Sequence, residues 1–307
     1  MKRTIALLLS LLMIIGLTAC GGGSGKIKEP SSVIADGVTN VNEIGNENTG
    51  DVVQNKSVAE DITIEETVLV DESGVKVTAK SLSVDEIFGP SVKLLIENNS
   101  GKDLTFQCRD ASVNGYMIGT MMSVDVVNGK KANDNLTFMS SDLESCGVET
   151  IADIEFSLHI FTSDSWDDFI DTPQIQLRTS AFDSYEYVFD NIGDLAYNEN
   201  GVEIVVKGIS VEDSIFGPGI IVYIANSSER DITVQVRDVS VNGFMMDTIF
   251  SSDVLAGKHS VSAITFLSSD LEENEITEIE ETELSFHIFD KNSWDTIVDT
   301  NTVTITF

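Results

Sequence analysis

Against 51 acidic residues the chain holds only 3 histidines, so few side chains can exchange protons near neutral pH. Two of them stand in matching segments, His159-Ile160-Phe161 and His287-Ile288-Phe289. Zinc would need further ligands about 2 Å from the metal. Glu155 and Glu283 share the polar face of the same strands but lie four residues away, about 13 Å in an extended chain. The spacing therefore favours a structural or surface histidine over a ligand, and His259, which matches Lys131, is not duplicated. Acids follow each histidine: Asp164, Asp167, Asp168 and Asp171, then Asp290, Asp295 and Asp299. Calcium takes six to eight oxygens at about 2.5 Å. Asp167 with Asp171, and Asp295 with Asp299, are the candidate ligands, spaced one turn apart if the segment is helical. No D-x-D-x-D-G loop surrounds them, so a solvated acidic face is the simpler reading. No cofactor is expected, with calcium as the one candidate. So many acids would also permit glycosidase-type pairs, and for that reason they say nothing about catalysis.

The remaining reactive groups are sparse. Cys108 alternates onto the apolar face with Leu104 and Phe106, whereas Cys146 falls in a loop. Two separate thiols are favoured over a bridge, although a disulfide stays open in an oxidising compartment. Arg109-Asp110 returns as Arg237-Asp238, either as an anion clamp or as an ion pair fixing the strand before a hairpin. Adjacent strand residues point to opposite faces, which favours the ion pair. Met117, Met121, Met122, Met245 and Met246 read as gap-filling core or edge residues, with an adaptable binding surface as the alternative. No G-x-S-x-G, H-E-x-x-H, C-x-x-C or P-loop pattern occurs.

These groups must be positioned by strands. Ile87-Phe88-Gly89-Pro90 returns as Ile215-Phe216-Gly217-Pro218, and Ser140-Ser141-Asp142-Leu143 as Ser268-Ser269-Asp270-Leu271. Ser165-Trp166-Asp167 returns as Ser293-Trp294-Asp295. The offset holds at about 128 residues with roughly 40 identities, a duplication of units too long for solenoid repeats. Val75–Ala79, Ile154–Ile160 and Ile232–Val236 alternate as strands. Asn114-Gly115 and Asn242-Gly243 predict two-residue hairpins, because a type I′ turn needs positive φ at both positions. In Ser165–Asp171 the apolar residues fall at i, i+3 and i+4, which predicts a one- or two-turn helix capped by Ser165, and by Ser293 in the second copy. The fold class is all-β: two tandem antiparallel β-sandwiches of immunoglobulin-like type over 61–180 and 181–307, each with one short helix.

A net charge of -33 excludes nucleic-acid binding, which needs a basic footprint, and opposes contact with anionic headgroups. Lys2 and Arg3 precede an apolar run, Ile5 to Gly16, too short for a committed membrane span. That run ends in Leu17-Thr18-Ala19-Cys20, which resembles the lipobox of bacterial lipoproteins. The resemblance implies cleavage of a signal peptide over 1–19 and diacylglycerol on Cys20, so the membrane is the first expected partner, with the protein on its extracytoplasmic face. Residues 20–60 read as a flexible tether spanning roughly 35 Å.

With this lipobox, its Gly-Ser run, the Asn98-Asn99-Ser100-Gly101-Lys102-Asp103 turn, the Ser-Val-Asn-Gly hairpins, the Ser-Ser-Asp-Leu steps and the His-Ile-Phe strands, the chain is similar to immunoglobulin-like lipoproteins of clostridia and related Gram-positive bacteria. The likeness implies a cell-surface β-sandwich and supplies no catalytic or binding residues. The expected function is a non-enzymatic, lipid-anchored binding or interaction module for an unknown surface protein or glycan. The alternatives are an acid-dependent hydrolase of cell-envelope or glycan substrates, a calcium-stiffened spacer, and an accessory subunit of a membrane transport or export complex.

Overall fold

The computed structural model describes residues 27–35, 38–41, 62–85, 89–210 and 217–307. The lipobox and Cys20 lie outside the described residues, as do Ile87, Phe88, Ile215 and Phe216. No helix among the described residues is long and apolar enough to cross a membrane.

The chain is an all-β sandwich protein. In the first half Thr67–Glu72, Val75–Asp85, Gly89–Asn98, Lys130–Phe138 and Thr120–Met121 form a five-stranded antiparallel sheet. Facing it are Leu104–Val113 and Asp153–Thr162, edged by Ser123–Val126, Asp168–Asp171 and Ile175–Arg178. The alternation read from 154 to 160 is the packing itself: Ile154, Phe156, Leu158 and Ile160 are at most 1 % exposed. They meet Val77, Leu94, Ile96 and Leu136 from the opposite sheet in one apolar cluster. A second cluster repeats this plan with Ile204, Val222, Val234, Phe266, Phe286 and Ile288.

The Asn-Gly hairpins form as expected. Asn114 (φ 51°) and Gly115 (φ 84°) lead Val113 back to pair with Tyr116, and Asn242 (φ 49°) and Gly243 (φ 84°) do the same between Val241 and Phe244. Asn114 also fixes a neighbouring loop: its Oδ1 accepts from the Ala152 and Asp153 amides at 2.9 and 3.0 Å, and its Nδ2 donates to Thr150 O at 2.6 Å.

Two expectations are corrected. The helix read over Ser165–Asp171 is a turn followed by the edge strand Asp168–Asp171, and Thr296–Asp299 repeats it. A helix of two turns gains few internal bonds for its nucleation cost, whereas an edge strand joins a ladder already in place. The short helices are instead Ser140–Ser145 and Ser268–Glu273, the Ser-Ser-Asp-Leu steps. In the first of these, the Asp142 carboxylate accepts the Gly119 amide at 2.8 Å.

The tether reading of 20–60 also fails over its described part. Ile27–Lys28 pairs with Val202–Ser210, and Ser32–Ala35 is flanked by Val303–Thr306 and Val38–Val41. Val33 is fully buried in the second cluster. One buried valine in a four-residue strand leaves too short a period to stand out from polar surroundings. Gly208 permits the approach: a Cβ there would come within 2.4 Å of Ile27 and 2.6 Å of the Lys28 carbonyl.

The halves meet along one sheet. Gly115 O accepts the His259 amide at 2.9 Å, so Tyr116–Met117 adjoins His259–Phe266 in parallel and a 12-stranded sheet runs through both halves. Val205 and Tyr223 of the second half complete the first half's apolar cluster. Lys258 reaches Glu155 at 2.5 Å, and Lys291 pairs with Asp110.

Candidate functional site

Each half builds the same projection. In the first, Trp166 N donates to Thr162 O and Thr162 N to Asp167 O, both at 2.9 Å, closing a tight turn after the central strand. The Ser165 hydroxyl donates to Asp167 Oδ2 at 2.7 Å. Trp166 occupies the left-handed region at φ 64°, and Trp294 repeats it at φ 65°. That conformation is uncommon outside glycine and asparagine, and for a bulky side chain it carries strain of about 1 kcal/mol or more. It turns each indole outward onto a buried ring. Trp166 stacks on Phe161 with centroids 5.3 Å apart and planes 16° from parallel, and Trp294 on Phe289 at 5.5 Å and 17°. The outer faces stay open, leaving Trp166 60 % and Trp294 75 % exposed. An exposed indole held in a strained turn twice over does not arise from packing needs.

Both tryptophans line one cleft of about 750 Å³ between the halves. Its wall carries Gln107, Arg109, Asp110 and His159 from the first half, and Asp253, Lys291 and Asn292 from the second. Asp110 stands at φ 54° in an irregular stretch of the 104–113 strand, where the register shifts against Asp153–Thr162. Its carboxylate pairs with Lys291, which also lies 3.3 Å from Asp253. Burial draws the Lys291 pKa down, but the bonds and charges of Asp110 and Asp253 outweigh it and hold the ammonium above its ordinary value. The Lys291 ammonium is therefore charged at neutral pH. The repeated Arg-Asp pair thus parts company: Asp110 bridges the halves, while Arg237 reaches Asp299 at 3.2 Å.

Both duplicated histidines are buried, 7 % and 8 % exposed, not surface residues. His159 Nδ1 lies 2.6 Å from Asp171 Oδ1, and His287 Nδ1 the same distance from Asp299 Oδ1. Each pair ties the edge strand to the central strand. The partner carboxylate stands beside the histidine on the next strand, so spacing along one strand does not reveal it. The visible signal was the shared spacing, histidine and aspartate twelve residues apart in both copies.

The four candidate calcium ligands do not converge as a helix would bring them. Asp167 and Asp295 each accept from their turn serine, at 2.7 and 3.0 Å, whereas Asp171 and Asp299 sit in the strand beside histidine. His159, Asp168 and Asp171 offer ligand atoms within 4.8 Å of one another. Thr296 replaces Asp168 in the second half, so that trio is not duplicated. Cys108 and Cys146 are thiols, not a disulfide. Burial, countered in part by Thr120 and reinforced by the Asp110 charge, pushes the Cys108 thiol up to about 12, which leaves it un-ionised and unreactive at neutral pH.

The methionine-rich hairpins diverge between halves. Tyr116 is 3 % exposed where the second half covers it, but its equivalent Phe244 is 48 % exposed; Met117 is half-buried and its equivalent Met245 is 68 % exposed. In the sequence Trp166 is indistinguishable from a residue of a helix's apolar stripe, since Trp166, Phe169 and Ile170 fall at i, i+3 and i+4. The signal was that the chain's 2 tryptophans fall at equivalent positions of a duplicated Ser-Trp-Asp. No protein-family model and no curated protein matches the chain.

Proposed function

We propose that this chain is a non-catalytic binding module of the extracytoplasmic cell surface, anchored through lipid on Cys20, and that the cleft holding Trp166 and Trp294 is its binding site. The observation that carries the reading is the pair of outward, backbone-strained indoles sharing that cleft. Exposed aromatic anchors provide large rigid contact area at low entropic cost, which is why they dominate recognition surfaces. The His-Asp pairs support a structural more than a catalytic role, since both copies use them to hold an edge strand.

The test is co-sedimentation of the 21–307 chain with insoluble cell-envelope material. Retention is expected, with at least a tenfold loss in Trp166→Ala/Trp294→Ala. Equal retention of the double variant would remove the cleft from the account. Loss of radiolabelled fatty acid from a Cys20→Ala precursor, with incorporation into the unaltered one, is the result expected for the anchor.

A further inference from the structure

We infer that the cleft takes a neutral, hydroxyl-rich glycan chain, with one sugar face laid on each tryptophan; this rests on the binding reading above and names its ligand. Three observations lead there. The first is charge. The chain carries a net charge of -33, yet the charged residues lining the cleft, apart from His159, are Arg109 and Lys291 against Asp110 and Asp253. The site is balanced in a molecule that is not. An anionic polymer is repelled by the surface as a whole, and a cationic one would be drawn to the surrounding acids more than to this site. An uncharged ligand suits the balance.

The second is the form of the platforms. Each indole already spends one face on phenylalanine and presents the other. The face of an indole is the negative end of its quadrupole and attracts the weakly positive C–H hydrogens of a pyranose ring. The third is the rim. Gln107, Arg109, Asn292 and the two carboxylates are planar groups that between them donate and accept, matching vicinal hydroxyls. A peptide would be gripped by ladder bonds along an open strand edge. Edge strands Asp168–Asp171 and Thr296–Asp299 begin two residues on, but what the cleft receives from each turn is the open face of an indole rather than ladder groups.

The protein reports on its own site. Its 2 tryptophans both line the cleft, so intrinsic tryptophan emission reads this site and nothing else. The 21–307 chain is titrated with hexasaccharides of β-1,4-linked glucose, N-acetylglucosamine and mannose, and in parallel with a tryptic digest of gelatin, which is free of tryptophan. At least one neutral hexasaccharide is expected to shift or quench the emission saturably. Its affinity should change less than twofold between 0.05 and 0.5 M NaCl, because no ion pair forms with the ligand. Trp166→Ala and Trp294→Ala, each read through the remaining tryptophan, should weaken it at least fivefold, and Trp166→Phe should recover most of the loss. The corresponding monosaccharide should bind at least tenfold more weakly, since a single ring covers one platform. Response to the peptides but to no hexasaccharide overturns the glycan assignment and leaves the binding module standing. Silence towards every probe, with unaltered co-sedimentation of the tryptophan variants, overturns both.

Discussion

Trp166 and Trp294 illustrate a residue kept where stability does not ask for it. Left-handed backbone strain of about 1–3 kcal/mol opposes each of them, and stacking on one phenylalanine returns about 0.5–1.5 kcal/mol. Trp166→Gly relieves the first and forfeits the second. Its urea-unfolding free energy is therefore expected to stay within about 1 kcal/mol of the unaltered chain. Phe156→Ala, which empties a fully buried site, should lose about 3–5 kcal/mol in the same measurement. A loss of that size in the tryptophan variant would mean that the indole is part of the core after all. Nothing in the residue types distinguished the two roles: an apolar side chain reads as buried until its backbone conformation is known.

At the scale of elements, loops are held by asparagines that the sequence showed only as turn formers. Asn98 is fully buried. Its Nδ2 donates to Lys102 O at 2.8 Å and Val126 O at 2.7 Å, while its Oδ1 accepts from the amide and hydroxyl of Ser100. Asn226 repeats every contact with Arg230, Val254 and Ser228. Removing the amide strands two carbonyls and a backbone N–H, at about 1–3 kcal/mol for each of them left unmet and out of reach of solvent. Asn98→Ala should thus lose about 2–4 kcal/mol by chemical denaturation, allowing for partial relaxation. Asn98→Asp should do no better, because a carboxylate faces the same two carbonyls without a proton to give. The strands themselves were legible because a period of two is local. The edge strand Asp168–Asp171 was not, since seven residues fit a helical stripe and a turn-plus-strand equally well and only the neighbouring ladder decides between them.

For the whole molecule the deciding contacts lie between the halves. His259 fills the junction: its ring stacks on Phe189 with centroids 3.6 Å apart, and its Nδ1 lies 2.6 Å from the Tyr223 hydroxyl. Tyr116 borders it, and Lys258, Glu155 and Asp190 are the charged groups nearby. Desolvation, aided by the Lys258 charge, pulls its pKa from 6.5 to about 4. Above pH about 6.5 neither the folded nor the unfolded chain holds the proton, and the junction keeps its full stability. As pH falls from about 6.5 towards about 4 the unfolded chain takes up the proton first, so stability is lost across that window. Melting curves should show this loss, and His259→Asn should flatten it relative to the unaltered chain. Parallel slopes in the two proteins would mean that His259 is not the group responsible. The comparison isolates His259 from the carboxylates, whose mutual repulsion relaxes over the lower part of the same range.

The amino-acid sequence alone determined the duplication, the all-β character and the hairpin turns, because alternation and Asn-Gly chemistry act over a few neighbouring residues. Only the tertiary structure decided that the two copies share a sheet, that residues 27–41 include strands of the second copy, and that two distant tryptophans face one cleft. Those outcomes depend on pairs such as Glu155 with Lys258 and Asp110 with Lys291. Such partners lie more than a hundred positions apart, and no local periodicity encodes which surface of one copy meets the other.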